Sequence, residues 1–294
     1  MKKCLLAVVT ALIFAVSCTK KPADSIIIAT KPMTEQFILA EMLRILIEEH
    51  TELDVIIKKG IGGGTANIHP ALVAGEFDLY PEYTGTAWNY ILKRASIPNE
   101  SLLFAELASE YQEQYDLEWV GLYGFNNTYG LVVREDIANE YNIHTYSDLS
   151  AYSKELIFGG EYDFFEREDG YEGLSKAYDY NFRKQVDLDI GLKYQAINNE
   201  QIDVMTVSTT DAQLSVAAVK LLTDDKHFYQ SYYCGTVVRA ETLKQHPELR
   251  KALSLMNNLL TNEEIMALNY AVEAKAQDER MVAESFLRVK GLIK

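Results

Sequence analysis

Apolar positions in the first ninety residues alternate between short continuous runs and longer helical ones. Ile26-Ile27-Ile28-Ala29 is β-branched throughout, as in a strand covered on both faces. From about Met33 to His50, Phe37, Leu39, Met42, Leu43, Ile45, Leu46 and Ile47 recur at helical spacing. Asp54 to Lys59 reads as the next strand, Gly60 to Gly64 as a turn, Thr65 to Ala74 as a helix and Phe77 to Tyr80 as a third strand. A β-α-β-α-β series implies a mainly parallel sheet with helices on both faces.

The stretch Trp119 to Arg134 is extended, with Gly124 to Thr128 in its middle, and predicts a hinge where one lobe passes into another. A second α/β set follows: strand Leu156 to Phe158, helix Gly170 to Tyr178, strand Gln185 to Leu188, helix Gly191 to Asn198 and strand Ile202 to Val207. Lys220 to Leu222 and Gly235 to Arg239 are further extended pieces, the second returning to the first lobe. The carboxyl end is helical, and Thr261 with Glu264 predicts a capping box. Two lobes with two crossings result, one from residues 25–127 and 233–294, the other from 128–232.

The amino terminus changes the picture of location. Lys2 and Lys3, an apolar run from Leu5 to Val16 and then Ser17-Cys18 have the form of a lipoprotein signal over residues 1–17, with Cys18 as the lipid attachment site and 18–24 as a tether. The run is shorter than the roughly 20 residues a membrane span needs. The expected product is exported, anchored at the cell membrane by lipid only, and monomeric. With Cys4 lost and Cys18 lipidated, Cys234 is the one remaining thiol, and no intramolecular disulfide is expected. An apolar content of 48% suffices for an ordinary core. Acidic side chains number 43 against 28 basic ones, for a net charge of −15, which argues against nucleic acid as a partner.

Enzyme signatures fail on inspection. Gly60-Ile61-Gly62-Gly63-Gly64 lacks the Lys-Ser/Thr of a phosphate loop and the dinucleotide fingerprint. The five histidines are scattered without ligand spacing, so neither a metal nor a cofactor is expected. No Gly-x-Ser-x-Gly elbow is present, and Cys234 has no histidine nearby in sequence. The chain does not read as an enzyme. A hydrolase whose residues converge from distant positions is the weaker alternative.

The densest chemistry lies at Phe77 to Trp88, where a strand runs into a turn carrying Tyr80, Tyr83, Thr84 and Thr86. Open α/β sheets bind small molecules at such carboxyl edges. With Thr30-Lys31-Pro32-Met33-Thr34-Glu35-Gln36, Asp78 to Thr86, Phe125-Asn126-Asn127-Thr128-Tyr129, Glu166-Arg167-Glu168-Asp169-Gly170, Ser208-Thr209-Thr210-Asp211 and Phe228 to Tyr232, six pieces in order, the chain resembles the binding proteins of osmoprotectant ABC importers. That family captures glycine betaine, choline or carnitine. The resemblance spans about residues 25 to 290 and implies a two-lobed periplasmic-binding-protein fold of type II, with the ligand in the interlobe cleft. It also implies permease and ATPase subunits as partners. A sensory or adhesion lipoprotein on the same fold is an alternative.

Site roles follow from the resemblance. A trimethylammonium group offers no strong hydrogen-bond donor and is selected by aromatic faces, each worth roughly 0.5–2 kcal/mol. The family's tyrosine cage falls on Tyr83, Tyr129 and Tyr232, and its fourth position on Ser208, a departure that removes one ring and opens a wall. The ligand carboxylate is expected on Arg167 and Lys31 with the Thr86 hydroxyl, and Asn127 stands beside the cage. Tyr80 returns to the core. Glu161 and Asp163, just before Arg167, add acceptors. The wording Lys-Pro-Met-Thr-Glu-Gln, Gly-Phe-Asn-Asn-Thr-Tyr-Gly-Leu and Gly-Leu-Lys-Tyr-Gln-Ala-Ile resembles the branch linked to uptake of ergothioneine, a larger betaine with ring N–H groups.

Overall fold

The structure, a computed structural model, describes residues 25–95, 97–160, 164–165, 170–188, 192–229 and 231–294. The expected signal and tether, Cys18, Glu161, Asp163 and Arg167 lie outside the described residues.

Two five-stranded sheets organise the chain. In the first, β1 (Ser25–Ala29) pairs in parallel with β2 (Asp54–Lys58) along its whole length and with β3 (Leu79–Tyr83) at Ile28↔Leu79. β4 (Leu117–Asn126) and β10 (Tyr233–Arg239) complete it antiparallel, in the order β2-β1-β3-β10-β4. In the second, β5 (Tyr129–Arg134), β6 (Ile157–Gly160), β7 (Lys184–Asp187), β8 (Val204–Ser208) and β9 (Val219–Leu221) lie in the order β7-β6-β8-β5-β9. The expected two-lobed α/β architecture is what the chain adopts. It passes between sheets at Asn127-Thr128 and again ahead of Tyr233.

Strand periodicity explains the cores. Ile26, Ile28 and Leu79 face Leu39, Met42, Leu43 and Leu46 of α1 (Thr34–His50), all essentially inaccessible. The opposite face sets Ala29, Tyr80 and Val237 against Leu72 of α2 (Thr65–Val73) and Leu103, Leu107 and Tyr111 of helix Glu100–Tyr115. In the second sheet Leu131 and Val133 look one way with Phe158 and Val204, while Val132, Met205 and Val207 look the other. Each buried aliphatic side chain contributes roughly 1.5–3 kcal/mol, so truncating one such as Leu43 to alanine costs about 2–5 kcal/mol.

One strand departs from expectation. The third strand reads in the sequence as ending at Tyr80, yet β3 continues through Pro81 to Tyr83. The ladder to β1 reaches only Leu79, so beyond that point this edge of β3 requires no donor, and a residue without N–H is accommodated. The extension carries Glu82 and Tyr83 inward: Glu82 is 0% exposed. After them α3 (Thr84–Thr86) opens into a single wide π turn, Ala87–Ile91, a local form that often marks functional sites.

A further link between the lobes was not expected. Helix Asn262–Glu273 carries the capping box, with Glu264 N donating to Thr261 Oγ1 at 3.2 Å and Thr261 N to Glu264 Oε2 at 3.0 Å. It packs on α1 and against Ala212–Ser215 beyond β8. Asn262 Nδ2 donates to Asn126 O at 2.9 Å and Thr209 O at 3.3 Å, and Asn269 Nδ2 to Thr210 O at 3.0 Å. The turn after β8 thereby rides on a helix of the first lobe.

Candidate functional site

The carboxyl ends of β3 and β8 and the Asn127-Thr128 crossing converge on one cavity of about 680 Å³, within the roughly 300–1,000 Å³ typical of small-molecule sites. The described residues lining it are Met33, Gly85, Thr86, Asn89, Tyr90, Asn127, Thr128, Tyr129, Ser208 and Tyr232. Five of the expected site residues, Thr86, Asn127, Tyr129, Ser208 and Tyr232, are thus brought together from positions up to 146 apart in the chain.

Register explains part of this convergence. Tyr129 and Ser208 are directly opposed across the antiparallel β5–β8 pair, which puts both side chains on one face. The Tyr129 ring is backed by Phe164 at 5.9 Å and Tyr229 at 5.6 Å between centroids. Tyr232 is held by its main chain: its N–H donates to Asn126 Oδ1 at 2.7 Å and its carbonyl accepts from Asn127 N at 3.1 Å. Its ring lies close against Gly85, where a Cβ would stand 2.7 Å from Cε1 and Cζ. Only glycine at 85 allows that approach.

Lys31 and Tyr83 are buried and are not among the described residues lining the cavity. Tyr83 is 5% exposed, packed in the first lobe's core, with Gln36 Nε2 donating to its hydroxyl at 3.1 Å. That hydroxyl donates to Glu35 Oε1. Lys31 Nζ donates to Glu82 Oε1 and stands 4.5 Å from the centroid of the Tyr83 ring. Glu82 also accepts from Thr65 Oγ1 at 2.7 Å, Tyr80 OH at 3.2 Å and Tyr83 N at 2.6 Å. The Lys31 charge is therefore matched inside the protein, and the Tyr83 ring already has a cation over it. Reading a helix from about Met33 and a third strand ending at Tyr80 concealed this arrangement, because the pairing joins residues 51 apart.

Glu35 and Glu82 carry weight that the sequence did not assign to them. Glu35, 3% exposed, accepts from Asn127 Nδ2 at 3.0 Å, and Asn127 Oδ1 accepts from Ser208 Oγ. Burial pushes the Glu35 carboxyl above the usual carboxylate range, opposed by hydrogen bonds with Tyr83, Thr210, Asn127 and Asn269. Its Oε2 has no partner of ordinary geometry among the described residues. Burial, with Glu35 next, also drives the Tyr83 phenol well above its ordinary range, so it stays a donor. Asn89 and Tyr90, which also line the cavity, follow Thr86 by three and four positions; that helical spacing was the available signal. No cluster of His, Cys, Asp or Glu among the described residues is arranged to hold a metal.

Two α/β lobes meeting over an aromatic and hydroxyl-lined cavity make this a two-lobed solute-binding protein. The chain belongs to the family described as the substrate-binding domain of the ABC-type glycine betaine transport system, whose model matches residues 24–289. It is 44% identical over 269 residues to the ergothioneine transport permease/ergothioneine binding protein EgtU of Helicobacter pylori (strain G27), covering 91% of this chain. It spans only 48% of that protein's own length. It is 36% identical over 267 residues to the carnitine transport binding protein OpuCC of Listeria monocytogenes serotype 1/2a, covering 90% of this chain and 86% of that protein. Among solved structures, a glycine betaine/carnitine/choline ABC transporter protein superposes with a TM-score of 0.87 at 31% identity, over 92% of this chain and all of the other. These relatives are transport proteins, two of them named for binding ergothioneine or carnitine. No helix among the described residues is long and apolar enough to cross a membrane.

Proposed function

We propose that this chain captures a zwitterionic quaternary-ammonium ligand, ergothioneine before the smaller betaines, and delivers it to the permease and ATPase of an ABC importer. The observation that carries this reading is the shared cavity of Tyr129, Tyr232 and Ser208, with Tyr90 at its rim. Two or three ring faces for a desolvated cation contribute roughly 0.5–2 kcal/mol each. Serine in place of a fourth ring weakens capture of a bare trimethylammonium group and leaves space and hydroxyl chemistry for a larger body. The identity to the ergothioneine-binding relative supports the same choice. Thr86 and Arg167 are assigned to the ligand carboxylate, and Lys31 to neutralising Glu82 beneath Tyr83.

Binding without chemical change, a monomeric state and attachment by lipid at Cys18 belong to the same reading. Calorimetric titration with ergothioneine, carnitine, glycine betaine and choline tests it. The expected result is tightest binding of ergothioneine, with the ligand recovered intact; tight glycine betaine binding with none of ergothioneine would refute it. Carnitine is the second reading, favoured by the Listeria relative that this chain matches along most of its length. Mass spectrometry of the membrane-extracted protein tests the anchor, with an unmodified Cys18 as the refuting result.

A further inference from the structure

A line of hydrogen bonds runs from the first lobe's core to the cavity wall of the second lobe. Tyr83 OH and Asn127 Nδ2 both donate to Glu35 Oε1, the latter at 3.0 Å. An acceptor-only oxygen at that point forces the Asn127 amide to turn its NH₂ toward Glu35 and its carbonyl toward Ser208. Ser208 Oγ accordingly gives its hydrogen to Asn127 Oδ1. Thr210 Oγ1 lies 3.3 Å from Ser208 Oγ and also hydrogen-bonds the Glu35 carboxyl, so its single hydrogen serves Glu35 or Ser208. A hydroxyl oxygen accepts two hydrogen bonds, so in either case at least one acceptor position of Ser208 is left, and Ser208 lines the cavity.

We infer that Glu35 is a positioning residue that sets the hydrogen-bond polarity of the cavity wall, making Ser208 an acceptor that selects ligands bearing a ring N–H or O–H donor beyond their trimethylammonium group. Glu35 does this through Asn127 and without touching the ligand. A ligand with no such donor, such as glycine betaine, gains nothing from the arrangement. With the Asn127 amide reversed, its NH₂ would donate to Ser208, and the serine hydrogen would turn into the cavity against a ligand donor. The inference rests on the reading that this cavity takes betaines.

The test compares ergothioneine with glycine betaine by calorimetry, and in parallel follows the Asn127 side-chain NH₂ signal by NMR in the ligand-free protein. Glu35→Met removes the acceptor and is expected to lower the ergothioneine to glycine betaine affinity ratio roughly tenfold. Glu35→Gln keeps an acceptor oxygen for Tyr83 and Asn127 and is expected to hold the ratio. Ser208→Ala should lower it as Glu35→Met does, and the two together no further. Tyr83→Phe, which removes the other donor to Glu35, should leave the ratio in place. The Asn127 signal should move strongly in Glu35→Met and little in Tyr83→Phe. Equal losses for both ligands in Glu35→Met, or additive effects with Ser208→Ala, would overturn the inference. An Asn127 signal unmoved by Glu35→Met would overturn it whatever binds. A wild-type chain that takes neither ligand, with the signal behaving as expected, would overturn the betaine reading and leave the orientation of Asn127 established.

Discussion

Adding one methyl group at Gly85 tests the cavity without touching any polar partner. A Cβ there would stand 2.7 Å from Tyr232 Cε1 and Cζ and 2.8 Å from Cδ1. Ordinary carbon contacts fall at about 3.5–4.0 Å, so the ring must retreat by about 1 Å. The main chain of Tyr232 has little freedom to follow, because Asn126 Oδ1 and Asn127 N hold it on either side and Thr84 Oγ1 accepts from Tyr233 N at 3.1 Å. The side chain therefore swings into the cavity that it lines. Overpacking costs about 1–3 kcal/mol in a closed core; with open space ahead of the ring, the lower end is expected here. Displacing the ring forfeits much of one cation contact, roughly 0.5–2 kcal/mol, so ligand affinity in Gly85→Ala should fall about threefold to tenfold by calorimetry. Gly62→Ala is the control, since a Cβ there meets nothing within 4 Å. In a Tyr232→Ala background Gly85→Ala should have no further effect. Unchanged affinity in Gly85→Ala, or an additive loss in the double variant, would refute the reasoning.

Other outcomes follow from the same geometry. Tyr129→Ala should weaken ligand binding roughly tenfold while Tyr129→Phe stays within about threefold, and equal losses in titration would argue against capture by the ring face. Lys31→Met strands the Glu82 carboxylate at 0% side-chain exposure and should cost about 3–5 kcal/mol in urea unfolding, with Lys31→Met/Glu82→Gln recovering part of it. His69 is 5% exposed, with neither ring nitrogen hydrogen-bonded among the described residues. Burial holds it below its ordinary 6.5, partly offset by Glu82, so the folded state resists protonation. Its stabilising share is present above pH 6.5 and lost as pH falls from there through the folded value, and His69→Leu should flatten the fall of melting temperature on acidification. An undiminished slope in that variant would show that His69 is not the group responsible.

Glu35 contributes to the pH profile with the opposite sign. Its folded pKa is raised, so its share of stability is present below 4.5 and lost as pH rises from there through the folded value. The two groups oppose one another in mildly acidic solution, which is why single replacements are more informative than the wild-type profile.

Periodicity along the chain was enough to order most strands of both α/β sets and the two-lobed plan, because a strand or helix declares its buried face at spacings of two or about 3.6 residues, although helix Glu100–Tyr115 was not read from it. The site residues came from the resemblance to the osmoprotectant binding proteins, and five of them, Thr86, Asn127, Tyr129, Ser208 and Tyr232, meet at one cavity. What periodicity does not carry is which polar group answers which. Lys31 finds Glu82 at a separation of 51 residues, Glu35 finds Asn127 at 92, and Asn127 finds Ser208 at 81. Those pairings arise only when β3 runs on through Pro81 and when β5 and β8 lie in register. Buried polar atoms must then be matched by whatever neighbours the fold supplies, since leaving one unmatched costs about 1–3 kcal/mol. Sequence determined that this chain would present rings and hydroxyls at a cleft; tertiary structure decided that Lys31 and Tyr83 are buried against Glu82 and Glu35 and that the Ser208 hydroxyl gives its hydrogen to Asn127.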